Sequence, residues 1–461
     1  MRAIFLILLV AAILVHPPAA GAQPIEFAGS IRLRGEAWSW FEAPGYEDDY
    51  TFLGSMLRAS AGQKRARSAW QIELAQPALI DLPDQAIAPA PRGQLGLGAS
   101  YFAANGEQNP AGLFVKQAWF RVDRGAGSLR IGRFEFNEGT EVAPKDAALA
   151  AIKQQRIAHR LIGTFGFSHV GRSFDGAQAT WGRAPVQATL LAARPTAGVF
   201  RVDGGSTLDD VDLVYGSVTR SAATADMRLF AILYRDDRGL LKTDNRPLAA
   251  RSADRSDIDV ITLGGHYVRL LGTNDVLLWG ALQTGDWGTL DHSAYAFAAE
   301  AGRRWETASL RGGMYLGSGD CNPADGDHDT FFQILPTPRI YARFPFYNAM
   351  NSRDLYLIGA WKATPSLRVT SEFHRLRLAT LSDLWYAGGG AFEEPSFGFA
   401  GRPSGGSRDL ATVADVGAEL AIGKKTSVGA YLGFASGGDV IDAIYAGNEA
   451  RYAYLEVTRR F

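Results

Sequence analysis

The most constraining feature of the sequence is a regular alternation of strand-like runs and connections from residue 25 to Phe461. Each run has about ten residues, the length that a tilted strand needs to cross a bilayer. Apolar and polar side chains alternate within the runs, which predicts strands with one face in lipid and the other in water. A closed sheet of such strands pairs every backbone polar group inside a membrane, so the pattern predicts a membrane-spanning β-barrel.

Eighteen runs fit the pattern. Their approximate bounds are residues 25–39, 51–62, 67–76, 113–123, 127–136, 172–182, 185–194, 209–220, 226–236, 256–269, 273–284, 292–304, 306–317, 352–363, 366–379, 409–422, 426–436 and 450–461. Connections after even-numbered runs have a few residues, and those after odd-numbered runs are mostly long. Short periplasmic turns and long extracellular loops are typical of outer-membrane barrels. We therefore predict an all-β fold, an 18-stranded antiparallel transmembrane β-barrel with both termini in the periplasm.

A secreted soluble sandwich or propeller is the alternative, because its strands would also alternate. That alternative does not explain why short and long connections alternate in phase. No repeat of 20 to 50 residues recurs in the sequence, which also argues against a propeller.

The first 22 residues have the composition of a secretory signal peptide. Arg2 gives a short positive end, residues 4–15 are apolar, and Ala20-Gly21-Ala22 is a small-residue cleavage site. We expect this peptide to be removed, leaving residues 23–461 as one barrel domain in the bacterial outer membrane. The formal net charge of −1 argues against a nucleic-acid partner. The single cysteine, Cys321, excludes an internal disulfide framework.

The alternation also predicts which side chains face a wet interior. In the first run Arg32 and Arg34 share the inward parity, since a slip of one residue would put both in hydrocarbon. The same parity assigns these inward arginines: Arg32, Arg34, Arg58, Arg121, Arg130, Arg311, Arg368 and Arg460. Guanidinium groups bind carboxylates bidentately, so such a series can pass an anion from site to site. Alternatively, each arginine pairs with an inward acid, from the set Glu36, Glu73, Glu300, Glu372, Asp415, Glu419 and Glu456.

The long connection at residues 137–171 is the predicted constriction. A helix-compatible stretch runs from Pro144 through Gly163, and three basic residues share one face of it at helical spacing. The candidate constriction residues are Lys145, Lys153, Arg156, Arg160 and Arg172. A long ordered loop on a barrel commonly folds inward. The alternative is an exposed extracellular helix with a solvated basic face.

The sequence gives little support for catalysis or for a bound metal or cofactor. Ser168 and His169 with Asp175 suggest a hydrolase, but adjacent residues of an extended segment point to opposite faces. Neither an HExxH pair nor a dinucleotide fingerprint is present. The aspartates at residues 320–329 lack the spacing of an EF-hand loop, and a solvated loop, or one bridged to lipopolysaccharide by divalent ions, explains them better. We predict no enzyme activity, no metal site and no cofactor.

Two groups of short motifs stand out against this background. The first is Ile131-Gly132-Arg133-Phe134, Gly139, Pro144-Lys145-Asp146, Arg156, Arg160-Leu161-Ile162-Gly163 and Gly171-Arg172-Ser173-Phe174-Asp175-Gly176. The second is Gly317-Ser318-Gly319-Asp320, Thr330-Phe331-Phe332, Leu335-Pro336-Thr337, Asn348 and Asn351. Both resemble segments of the alginate export family of outer-membrane porins. The resemblance implies an electropositive barrel for alginate, a polymer of carboxylated sugars, although many relatives are expected to carry other solutes.

We therefore expect a passive, anion-selective channel for an acidic polysaccharide or its fragments. A nutrient porin importing small acids or oligosaccharides is a second hypothesis, and a structural or adhesive barrel with a closed lumen is a third. The expected partners are outer-membrane lipid and lipopolysaccharide, an anionic polysaccharide or acidic sugar, and the barrel-assembly machinery, which is expected to read the aromatic terminal residue Phe461. We expect a monomer.

Overall fold

A computed structural model describes residues 24–461, and the predicted signal peptide lies outside that range. Eighteen antiparallel strands form one closed sheet. The first strand, β1 (Glu26–Ser39), pairs with the last, β21 (Glu449–Arg460), and so closes the barrel. The predicted 18-stranded barrel is therefore confirmed. Within residues 24–461, no helix combines the length and apolarity needed to cross a bilayer.

The remaining barrel strands pair in chain order. They are β2 (Asp49–Lys64), β3 (Ser68–Ile80), β4 (Phe114–Arg124), β5 (Gly127–Phe134), β6 (Phe174–Arg183), β7 (Val186–Pro195), β8 (Val211–Ser221), β9 (Ala225–Asp236), β10 (Ile258–Leu271), β11 (Asn274–Trp287), β12 (Leu290–Arg304), β13 (Ala308–Gly317), β15 (Ser352–Lys362), β16 (Leu367–Leu378), β19 (Asp409–Ile422) and β20 (Thr426–Gly437). Short turns alternate with mostly long loops, as predicted, and the exception is the two-residue connection at residues 288–289 between β11 and β12.

The loops contain further short elements. The helices are α1 (Leu97–Asn105), α2 (Ala147–Arg156), α3 (Leu248–Ala253) and α4 (Asp439–Asp442), and a 3-10 turn spans Pro338–Ile340. The two-residue strand β14 (Asp327–His328) pairs in parallel with β12. β17 (Trp385–Gly388) and β18 (Phe399–Arg402) form a separate hairpin.

The two faces of the barrel wall differ as the alternation requires. Outward side chains form an apolar belt, in which Leu229 is 66% and Leu355 60% exposed. The inward neighbour Arg228 is 0% exposed. The register that closes the barrel sets Arg34 opposite Glu456 on the inner face. The lipid-facing surface is therefore apolar, and charged side chains contact one another inside the barrel.

Several long loops fold into the lumen, and their apolar side chains pack on the inner wall. Leu161 and Leu335 come from different loops and are both 0% exposed. The bridge between Ile162 and Leu335 joins these loops directly. On the wall, Trp38 stacks on Tyr452 with 3.9 Å between ring centroids. The lumen is therefore partly filled rather than an open bore.

The filling is unequal around the circumference. Helix α2 packs its buried Leu149 and Ile152 within an apolar cluster that includes inner-wall residues of β8–β12. We call this wall, with α2 on it, the filled side. Cavities instead border β13, β15, β16, β19, β20 and β21, which we call the open side.

Candidate conduction pathway

Helix α2 places two basic side chains of the 137–171 loop, Lys153 and Arg156, against the filled side. Asp146 caps it by accepting hydrogen bonds from the amides of Ala148 (2.8 Å) and Leu149 (3.0 Å), which satisfies free donors of the first turn. The helix ends at Arg156, so the predicted helical stretch is wrong for residues 157–163.

The helix stops because the following segment forms hydrogen bonds with residues distant in sequence. His159 has a left-handed φ of 63°, which breaks the helical path. Its amide donates to Glu138 O at 3.1 Å, and its carbonyl accepts from Thr337 N at 3.0 Å. Such pairing across distant segments cannot be read from local spacing.

The predicted constriction residues do not form one lumenal row. Lys153 pairs with Asp226 at 2.9 Å and Arg156 with Glu300 at 3.0 Å, which ties α2 to β9 and β12. Arg160 lies beyond the helix, where its guanidinium stands over the ring of Tyr341 at 4.1 Å.

The other two predicted loop cations lie apart from this group. Lys145 is exposed. Arg172 is 0% exposed and donates to Gly389 O, and burial lowers its pKa to about 9. Neither one shares the α2 face.

Most of the predicted strand arginines have an acidic partner. Arg34 pairs with Glu456 at 2.7 Å and with Glu36 at 3.3 Å. The remaining pairs are Arg32 with Glu456 (3.8 Å), Arg58 with Glu73 and with Glu135 (2.9 Å), Arg121 with Asp123 (3.2 Å), and Arg311 with Asp275 and with Glu300 (3.4 Å). These five arginines are largely neutralised by the wall itself.

Three of the predicted arginines make no ion pair within residues 24–461. Arg130 bonds to Gln178 and lies over the ring of Phe134 at 4.1 Å. Arg368 and Arg460 are exposed and border the periplasmic cavities of the open side. Of the eight predicted strand arginines, these two are exposed and make no ion pair in the described chain.

Most of the predicted acids form ion pairs, and one of them is exposed. Glu36 accepts from Trp38 Nε1 and Tyr452 Oη, each at 3.1 Å, beside its ion pair with Arg34. Glu372 and Asp415 each lie 3.5 Å from Arg343, a loop arginine that the sequence interpretation did not single out. Glu419 is exposed and makes no ion pair within the described chain.

Arg343 lies flat against the wall because β19 has a glycine there. A Cβ atom on Gly417 would lie 2.2 Å from Arg343 Nη2. Arg343 also donates to Thr370 Oγ1 at 2.6 Å. The glycine therefore lets a loop cation reach two wall carboxylates.

Two adjoining cavities of about 710 and 460 Å³ lie on the open side towards the periplasm. They share Arg368, Glu419 and Glu456, among other residues. Their cationic lining residues are Arg156, Arg304, Arg311, Arg339, Arg343, Lys362, Arg368 and Arg460. Their acidic lining residues are Glu306, Glu372, Glu419 and Glu456. Cations thus outnumber carboxylates two to one along this wall.

Arg339, on the 3-10 turn, is the residue at which these cavities meet a third. It lines both the 460 Å³ cavity and an extracellular-side cavity of about 270 Å³. Its Nε and Nη2 atoms are buried without a hydrogen-bond partner, and the described residues place no acid in ion-pair contact with it. Instead the guanidinium stands 4.6 Å from the ring centroids of both Phe167 and Tyr431.

The sequence interpretation missed Arg339 and Arg343 because it treated residues 318–351 as an exterior loop. A signal was present in the same loop. Phe331, Phe332, Phe344 and Phe346 are too apolar for a solvated connection, and all four are at most 1% exposed. Clustered aromatics in a predicted loop indicate that the loop folds inward.

The sequence model of the family described as alginate export matches residues 111–441. The chain belongs to the alginate export family. Together with the closed barrel, this membership makes the chain an outer-membrane channel protein. A sequence comparison with curated proteins gave no significant match.

Solved outer-membrane structures share the fold of this alginate export family member. OpdK of Pseudomonas aeruginosa with vanillate has a TM-score of 0.56 at 8% identity, covering 95% of this chain and 98% of that one. OccAB4 of Acinetobacter baumannii has a TM-score of 0.54 at 8% identity, covering 96% and 100%. OccK3 (OpdO) of P. aeruginosa has a TM-score of 0.53 at 12% identity, covering 95% and 96%. At these identities the likeness concerns the fold.

Proposed function

We propose that this channel passes an anionic polysaccharide of the alginate type, or its fragments, along the open side of the lumen. The observation that carries the proposal is Arg339, a cation at the junction of two cavities that has no acid in ion-pair contact within the described chain. Nε and Nη2 of Arg339 are donors without an acceptor in the described chain, and a carboxylate of an anionic solute passing this point would supply one.

The charges along the rest of the pathway also favour anions over cations. Arg368, Arg460 and Lys362 line the periplasmic cavities without an ion pair in the described chain, whereas only Glu306 and Glu419 are unpaired acids there. Fixed charge of one sign in a narrow, low-dielectric passage concentrates ions of the opposite sign. A polyuronate carries one carboxylate on each sugar ring, so it can bind successive cations as it advances.

Single-channel recording of the purified protein in planar bilayers tests this proposal. In a potassium chloride gradient we expect a reversal potential of the sign that chloride preference gives, and transient current block by soluble oligouronate. Arg339→Gln should reduce both effects because it removes the unpaired charge. Arg339→Lys, which keeps the charge, should retain the chloride preference.

The matched control is Arg235→Gln on β9. Arg235 is about half exposed at the outer rim and pairs with Asp237 at 2.6 Å, so its loss should leave reversal potential and block unchanged. Cation preference in the unmodified channel, or failure of oligouronate to block it, would overturn the proposal.

A further inference from the structure

The extracellular-side cavity above Arg339 is lined mainly by aromatic side chains, whereas the periplasmic cavities are lined by many charged ones. Its volume of about 270 Å³ is slightly below the range of roughly 300–1,000 Å³ for small-molecule sites. It is bounded by Trp40 after β1, by α1, by the 3-10 turn and by the β17–β18 hairpin. Segments distant in sequence therefore converge on one cavity.

Aromatic side chains dominate this space. The lining includes Trp40, Phe165, Phe167, Phe200, Phe346, Tyr347, Phe392 and Phe399. Phe200 is the centre of a packed group, with its ring centroid 5.3 Å from Phe392 and 5.7 Å from Phe165. Flat aromatic faces bind flat apolar faces of a ligand, whether of an aryl ring or of a sugar.

Two lining residues contribute hydrogen-bond donors that the protein leaves unused. Arg339 has Nε and Nη2 buried without a partner, and Trp40, which is 6% exposed, has its Nε1 in the same state. Both groups donate only, so they require an acceptor. Buried donors normally have a partner, and a ligand oxygen would supply one.

The other charged lining residues are already engaged. Arg402 donates to the carbonyls of Arg92 (3.0 Å) and Gln94 (3.2 Å). Glu393 lies 3.6 Å from the guanidinium of Arg201. The chemistry left open to a ligand is thus one cation, one indole donor and several aromatic faces.

We infer that this cavity binds a single-ring carboxylate, with the carboxylate on Arg339 and the ring against the aromatic walls. The inference rests on the proposed anion channel and narrows its cargo, since the cavity holds one ring at a time. An acidic monosaccharide and an aryl acid share this chemistry.

The test is current block by sodium glucuronate and by sodium benzoate, with glucose and benzyl alcohol as the uncharged counterparts. We expect discrete blocks by at least one acid and none by the neutral compounds. Block by glucuronate alone assigns an acidic sugar, and block by benzoate alone assigns an aryl acid. Phe392→Leu should shorten the block roughly two- to tenfold, because one aromatic face is removed.

Phe397→Leu is the matched control on the same hairpin turn. Phe397 does not border the cavity and packs instead on Trp287 with 5.5 Å between ring centroids. Its loss should leave the block duration unchanged, and heat-modified gel migration of both variants reports whether the barrel has folded. Absence of block by both acids, or equal shortening in the two variants, would overturn the inference. Retained chloride preference in the same recordings would then show that the proposed anion channel survives.

Discussion

Buried arginines lie on both the filled and the open side of the lumen, but they contact different partners on the two sides. On the filled side Arg228 lies between Glu138 and Glu141 and donates to Tyr215 Oη at 2.9 Å. On the open side Arg339 faces aromatic rings and makes no ion pair in the described chain. An inward arginine is therefore held by ion pairs where loop acids contact it, and we infer that it is available to a solute where they do not.

The filled side is held by charge as well as by apolar contact. Glu138 accepts from the amides of Arg160 (3.1 Å) and Leu161 (3.2 Å) while it faces Arg228. The carboxylate thus links the 137–171 loop to β9. Removing one member of such a buried group leaves uncompensated charge, which is more costly than never having built the pair.

The largest expected effect comes from Arg228→Met. Glu138 and Glu141 would lose their buried cation, and we expect the free energy of unfolding to fall by about 3–5 kcal/mol. Single-channel conductance should rise because the 137–171 loop loses an anchor. Denaturant unfolding and bilayer recording measure the two effects. Arg235→Met on the same strand removes an exposed ion pair, so it should change stability by less than about 1 kcal/mol. Equal losses in the two variants would remove the distinction between buried and exposed pairs.

The second-largest expected effect is a loss of stability on acidification, caused by two loop histidines. Burial lowers the pKa of both His159 and His169 to about 4, from 6.5. Each is therefore neutral when folded and takes up a proton on unfolding between these values. Their stabilising contribution is complete above pH 6.5, and it falls by about 1.4 kcal/mol per pH unit for each histidine until pH 4.

The variant His159→Gln isolates one of these contributions. The change in unfolding free energy between pH 6.5 and pH 5 should be about 1.6 kcal/mol smaller than in the unmodified protein. His169 still titrates in this variant and serves as the internal reference. An unchanged pH dependence would mean that His159 does not titrate on unfolding.

The smallest expected effect is that of Arg339→Met on stability. No ion pair is lost, and methionine can keep contact with the rings of Phe167 and Tyr431. The free energy of unfolding should therefore change by less than about 1 kcal/mol in either direction. A loss as large as that of Arg228→Met would show that Arg339 is a structural residue, and the contrast between the two sides would fail.

The barrel itself could be predicted because strand periodicity is local. The last run was expected at residues 450–461 and is found at Glu449–Arg460. Parity likewise indicated that Arg34 and Glu456 face inward. Whether they pair could not be predicted, because the two residues are 422 positions apart and meet only when the barrel closes.

The candidate pathway was less predictable because loops have no such period. The spacing of Lys153, Arg156 and Arg160 suggested a single lumenal face, but each side chain is held by a different contact from another segment. Arg339 depends on the fold of the 318–351 loop, which has no helical or strand repeat around it. Its aromatic neighbours in sequence were the available signal.

The one-sided filling has a consequence for how such a channel can change. Arg368, Arg460 and Lys362 lie on strands whose backbone hydrogen bonds are supplied by neighbouring strands, and their side chains are exposed to a cavity. Substitutions there alter lumenal charge without disturbing a packed loop. Solute preference can therefore diverge by single substitutions along one arc of the wall, while the opposite arc keeps the barrel intact.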